Sequence, residues 1–180
     1  MSTSSLEHIA EDLISHALQR RNVLVAKPKF DHNGADLLAL LDVADGAKFC
    51  RIQCKGRSLI NNKKSHITIS TDYVTDGFIV ILYIEHDSDI AEQNMFCFFG
   101  QDIRQWRKST SGKNYMLSFT RSNYKKKFAE HIFCKKVVDK IIKSIININV
   151  DGEFKSMGHG YIEFIIPPPI LQVSCSVSGI

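Results

Sequence analysis

Leu6, Ile9, Ala10, Leu13, Ile14, Ala17 and Leu18 recur at intervals of three and four, the spacing of a helix with one buried face. Thr3, Ser4 or Ser5 supplies a cap, and Arg20 to Asn22 end the helix. Val23 to Ala26 reads as a strand stopped at Pro28. Ala35 to Val43 and Lys48 to Lys55 follow as two strands around Asp45-Gly46, a dipeptide suited to a two-residue hairpin turn. His66 to Ser70, Phe78 to Glu85, Met95 to Phe99 and Tyr115 to Phe119 add further strands. Gln101 to Lys108 reads as a short helix and Tyr124 to Ile146 as a long amphipathic one. Beyond it, strands are expected at Asn149 to Phe154 and Tyr161 to Ile166, ahead of Pro167-Pro168-Pro169. The pattern predicts an α/β domain over residues 1–147, with 148–180 as a C-terminal extension whose strands pack on or beside it.

At 180 residues and 44% hydrophobic, the chain can bury one sizeable core. The first twenty residues include Glu7, Glu11 and Asp12 and do not read as a signal peptide. Phe78 to Ile84, the longest apolar run, is too short to span a bilayer, so no membrane partner is expected. Five cysteines without a C-x-x-C pair exclude a secreted disulfide framework and fit a cytoplasmic location. The net charge of +4 is unevenly spread. Lys48 to Lys64 holds six basic residues and no acid, Gln101 to Lys143 holds twelve against three acids, and Asp72 to Glu92 holds six acids and no Lys or Arg. Such segregation suits either a basic face for a polyanion or ordinary solvated helix faces.

The hairpin carries the candidate chemistry. With Asp45 and Gly46 as turn residues, Asp36 falls directly opposite Lys55, and Gln53 shares their face. The opposite face, with Leu37, Ala39, Leu41, Cys50, Ile52 and Cys54, is apolar and can pack on a helix. A carboxylate, an amide oxygen and an ammonium therefore meet at one end of the hairpin. That constellation is either a structural ion pair on a half-exposed sheet or a site that handles phosphate.

The ordered pieces "AEDLISHALQRRNVLVAKP", "GADLLAL" and "RIQCKGR" resemble the PD-(D/E)XK nuclease superfamily: a helix with a Glu, a strand, an Asp opening the second strand and a third strand ending in Gln-x-Lys. The Gln-x-Lys form is most similar to the branch with intron-encoded homing endonucleases and Holliday-junction resolvase-like proteins. The resemblance covers residues 6 to about 100 and, loosely, 124–146. It implies a restriction-endonuclease-like mixed β-sheet flanked by α-helices, and magnesium- or manganese-dependent hydrolysis of phosphodiester bonds in DNA. Asp36, the Gln53 side-chain oxygen and the Cys54 backbone carbonyl would hold the metal, and Lys55 would orient water and stabilise charge on the phosphate. Glu11 would be the helix carboxylate, with Glu7 as its competitor. A homodimer is a possible assembly.

Two positions depart from the pattern. Ala35 replaces the Pro that often precedes the Asp, although Gly34-Ala35-Asp36 matches the resolvase-like Gly-x-Asp. Gln53 offers an oxygen but no charge, which weakens magnesium binding. Two alternatives to an enzyme therefore stand: a nuclease-fold module that binds nucleic acid without cutting it, and a protein-interaction domain acting through the acidic segment.

Arg57, Lys63, Lys64, Arg104, Arg107 and Lys108 are the candidate nucleic-acid contacts. Trp106 among the last three either stacks on a base or packs on the sheet. His66 reads as a surface histidine and Lys125-Lys126-Lys127 as a solvated helix start. Because basic residues hold nucleic acid through its phosphates, affinity for duplex, single-stranded or branched DNA should fall steeply as salt rises. Fluorescence anisotropy in a salt series checks this, and salt-insensitive or absent binding would favour the protein-interaction reading.

Overall fold

The computed structural model describes residues 3–29, 34–43, 46–86, 91–146, 152–157 and 161–165. Helix α1 (Thr3–Gln19) leads into β1 (Leu24–Ala26), β2 (Leu37–Val43), β3 (Gly46–Ser58), β4 (Lys64–Ser70), β5 (Phe78–Glu85) and β6 (Met95–Phe99). There follow α2 (Gly100–Ile103), β7 (Arg107–Lys108), β8 (Asn114–Thr120), α3 (Tyr124–Lys127), α4 (Lys135–Ile146), β9 (Gly152–Met157) and β10 (Tyr161–Ile165). The main sheet runs β1-β2-β3-β5-β6, and a separate three-stranded sheet runs β4-β8-β7. Among the described residues only β3 and β5 pair in parallel, so the large sheet is mixed, as expected. No helix among the described residues is long and apolar enough to cross a membrane.

Period-two patterning sends the two faces of the main sheet to different partners. Leu37, Ala39, Cys50, Ile52 and Cys54 point to one face and share a core with α1 and α4. Val80, Leu82, Phe96 and Phe98 point to the other, where Ile67, Leu117 and Phe119 of the small sheet cover them. No β2 residue belongs to this second core. The small sheet therefore covers the β5–β6 half of that face and stops short of β2.

β3, with 13 residues, is the longest strand and serves several neighbours. Gly46 to Phe49 pairs with β2 on one edge and β9 on the other, and Arg51 to Ser58 pairs with β5. Gly56 lies where α1 crosses β3: an added Cβ would sit 2.4 Å from the Leu6 carbonyl oxygen.

The helix expected over Tyr124 to Ile146 is broken. The chain instead forms α3, a 3-10 turn at Ala129–His131 and α4. Tyr124 and Phe128 are buried in the small-sheet core, whereas Phe133, Val138 and Ile141 are buried in the α1 core. One straight helix cannot serve both faces of a sheet. The chain rounds the β6 edge, where the Phe133 N–H donates to the Met95 carbonyl at 2.9 Å and Ile132 bridges Phe96. The short helix expected over Gln101 to Lys108 ends early for a related reason, since Arg107 and Lys108 pair with Met116 and Tyr115 as β7.

Gly56→Ala forces a methyl against helix backbone that cannot rotate away. It should lower stability by about 2 kcal/mol or more, measured by urea denaturation, with the sheet end of α1 loosening first in hydrogen exchange.

Candidate active site

The register of the hairpin decides how its polar residues meet. Val43 pairs with Gly46 and Leu37 with Ile52, so the connection sits one residue earlier than Asp45-Gly46. The regular ladder ends at Leu37, and Asp36, whose N–H reaches the same Ile52, stands beside Ile52 rather than opposite Lys55. Moving a turn by one shifts opposed pairs by two, which keeps every side chain on the same face. Gln53 and Lys55 thus share the face whose β2 side the small sheet leaves uncovered, with Lys55 one pleat farther along.

Where β2 begins, the ladder changes from main chain to side chain. The Asp36 N–H donates to the Ile52 carbonyl at 3.0 Å. The Cys54 N–H lies beyond the last ladder pair and donates to Asp36 Oδ2 at 2.6 Å. A charge-assisted bond of this kind holds the carboxylate firmly. In an extended strand N–H and C=O of one residue leave by the same edge, so the Cys54 carbonyl also faces Asp36. Gly34 makes the approach possible: its φ is 72°, and an added Cβ would lie 2.4 Å from the Tyr73 ring.

Gln53 is only 9% exposed, and among the described residues its Oε1 has no hydrogen-bond partner. An orphaned buried acceptor costs about 1–3 kcal/mol, so it calls for a cation or a water. The donor set fits a hard cation: Asp36, the Gln53 amide oxygen and the Cys54 carbonyl are all oxygen ligands. Among the described residues no three His, Cys, Asp or Glu side chains gather as a metal group, so the amide and main-chain oxygens would be essential.

The helix supplies two carboxylates with separate posts. Glu7 Oε1 lies 4.0 Å from Lys55 Nζ and accepts from Arg57 at 2.8 Å. Arg57 also donates to the His66 carbonyl, which ties the cation pair to β4. Glu11, one turn on, has a side chain 13% exposed and meets Lys27 Nζ at 2.5 Å. Lys27 was not singled out from the sequence, because sixteen residues separate it from Glu11 and only the α1–β1 packing joins them.

Four charges converge on the buried Cys54 thiol. Burial, then Asp36 and Glu11, push its pKa well up, and Lys55 and Lys27 oppose the rise. Cys54 is therefore a neutral core residue, and like Cys50 and Cys97 it is a buried thiol outside any disulfide.

No protein-family model and no curated protein matches the chain. Among solved structures it is similar to a bacterial homing endonuclease. The two share 15% identity, with 82% of this chain and 98% of that one covered and a TM-score of 0.49. The functional reading stands on the chain's own residues.

The expected nucleic-acid contacts divide. Lys63, Lys64, Arg107 and Lys108 are exposed. Arg57 is turned inward onto Glu7, and Arg104 pairs with Asp76 at 2.5 Å. Trp106 packs edge-on against Phe98. Beside Arg57 a groove of about 600 Å³ is lined by Asn61, Asn62, Ser65 and His66. A second, of about 530 Å³, continues from Ser65 and His66 past Lys64 to Thr120 and Asn123. The two share Ser65 and His66, so a trough leads from Arg57 across β4 to β8.

Gln53→Met keeps the volume and removes the orphaned oxygen. It should raise thermal or urea stability by about 1 kcal/mol in metal-free buffer. A loss of stability would mean that Gln53 is a structural residue.

Proposed function

We propose that the chain is a metal-dependent nuclease of the PD-(D/E)XK kind that hydrolyses phosphodiester bonds in DNA. The observation that carries this reading is the orphaned, buried Gln53 Oε1, on the same face as Lys55 and one residue before Cys54, whose N–H clamps the Asp36 carboxylate. Residues 1–147 would form the nuclease domain and 148–180 an extension that continues the pairing of β3 through β9.

Magnesium or manganese, when bound, polarises the scissile phosphate and lowers the pKa of a water. Asp36 would supply the fixed negative ligand, since the Cys54 N–H holds its carboxylate in place. Gln53 supplies a neutral oxygen at no electrostatic cost to an approaching phosphate. Lys55 is held by Glu7 but is a compact ammonium on a flexible stem, so it can orient the attacking water and offset charge growing on the phosphate. An arginine would not fill the same post, because its planar fork spreads the charge over a fixed shape. The trough across β4 and β8, with Lys64 in its wall, offers the strand a path past Arg57.

A second reading, a nuclease-fold module that binds DNA without cutting it, is favoured by the missing charge at Gln53 and by the Lys27 ammonium already seated on Glu11. Supercoiled plasmid and labelled duplex, incubated with magnesium, manganese or chelator, separate the two. Asp36→Asn and Lys55→Ala should each reduce cleavage a hundredfold or more, about 2.7 kcal/mol of transition-state stabilisation, while the protein stays folded. Gln53→Glu should bind metal more tightly and cut as well or better. Cleavage that survives both Asp36→Asn and Lys55→Ala would remove this hairpin as the site.

A further inference from the structure

We infer that the outer face of the three-stranded sheet reads duplex DNA: His66, Thr68 and Ser118 meet base edges in the major groove, while Lys64 and Arg107 hold phosphates beside them. The inference rests on the DNA-cleaving reading above and adds to it the surface that selects the sequence.

Register sets the face. Lys64 pairs with Thr120, His66 with Ser118 and Thr68 with Met116, and Met116 pairs in turn with Arg107, so these side chains point to one side of the sheet. The alternate residues Ile67, Ile69, Leu117 and Phe119 are buried in the second core, so this side looks away from the main sheet. Lys64, His66, Thr68, Arg107 and Ser118 are exposed. β7 contributes only two residues beside the seven of β4 and of β8, which leaves a two-stranded ribbon for most of the length. Strands about 4.8 Å apart make a ribbon narrow enough for a major groove about 12 Å wide.

Charge and shape name the partner. β4, β7 and β8 contain no Asp or Glu. Residues 46–71 and 103–129 are likewise free of acids and hold six and eight Lys or Arg. At the His66–Ser118 rung each strand carries a cation on its main chain: Arg57 donates to the His66 carbonyl at 3.0 Å and Lys127 to the Ser118 carbonyl at 2.7 Å. Lys64, His66, Ser118 and Thr120 also line the groove of about 530 Å³. Such a surface complements a polyanion. The face presents no Phe, Tyr or Trp, since Tyr115 and Phe119 turn inward and Trp106 packs on Phe98, so a single strand finds no ring to stack on. Double-stranded RNA hides its bases in a deep, narrow major groove. Duplex DNA fits both constraints. The same rung leads to the candidate site, because Arg57 also meets Glu7 at 2.8 Å and Glu7 lies 4.0 Å from Lys55.

The experiment offers wild type a labelled duplex pool with a randomised centre, in chelator and again with calcium, and sequences the molecules retained. A defined sequence should be enriched. His66→Ala, Thr68→Ala and Ser118→Ala should each lower discrimination about tenfold at neighbouring base pairs while leaving affinity for the unselected pool unchanged. Lys64→Ala and Arg107→Ala should weaken binding to every sequence alike and reduce the salt slope by about one apiece. The single strand and the double-stranded RNA of the selected sequence should bind about tenfold more weakly or worse. Binding without an enriched sequence, an unchanged preference in all three alanine variants, or equal binding of single strand or RNA overturns this face as the reader and leaves the nuclease reading standing. Absence of DNA binding by wild type in both buffers overturns both.

Discussion

The bond from the Cys54 N–H to the Asp36 carboxylate is the constraint on which the site depends. A strand that ends leaves its neighbour with an unpaired main-chain group, and burial makes such a group costly. Here the vacancy at the start of β2 is filled by a carboxylate. The same contact completes the ladder and fixes a carboxylate against the main chain of Cys54, the residue after Gln53. Gly34 is part of this device, because any other residue would collide with Tyr73 on the way into the bond.

The division of the main sheet determines why this point is accessible. Helices cover one face along its length, whereas the three-stranded sheet covers only the β5–β6 half of the other. Gln53 and Lys55 lie at the margin of that cover, shielded enough to be desolvated and open enough to meet a phosphate. The broken helix after β8 belongs to the same arrangement. Phe128 closes one core and Phe133 the other, and the turn between them carries the chain around the β6 edge.

Charges around the site are balanced by residues distant in sequence. Glu7 holds Lys55 and Arg57, and Lys27 holds Glu11. Each pair joins α1 to a strand, so packing of the helix on the sheet also sets the electrostatics. Only Lys27 is exposed in its pair, whereas Glu7, Lys55 and Arg57 are all partly buried, so the two posts differ in how firmly they are held.

Much of this was legible from local pattern. The alternation in β2 and β3 and the apolar stripe of α1 name the residues that face the helices, because burial of one face requires that periodicity. They also place Gln53 and Lys55 together on the other face. The same pattern could not choose between turns one residue apart, since both bury identical faces, and so it set Asp36 opposite Lys55 instead of beside Ile52. Periodicity likewise could not see the break at Phe128 to Phe133, because a helical stripe does not say which of two cores will bury it. Gln53 as an orphaned acceptor, Glu7 and Glu11 in separate posts, and Lys27 on Glu11 were decided by tertiary structure alone. Each depends on distance between segments that only packing brings together, and no local spacing encodes that distance.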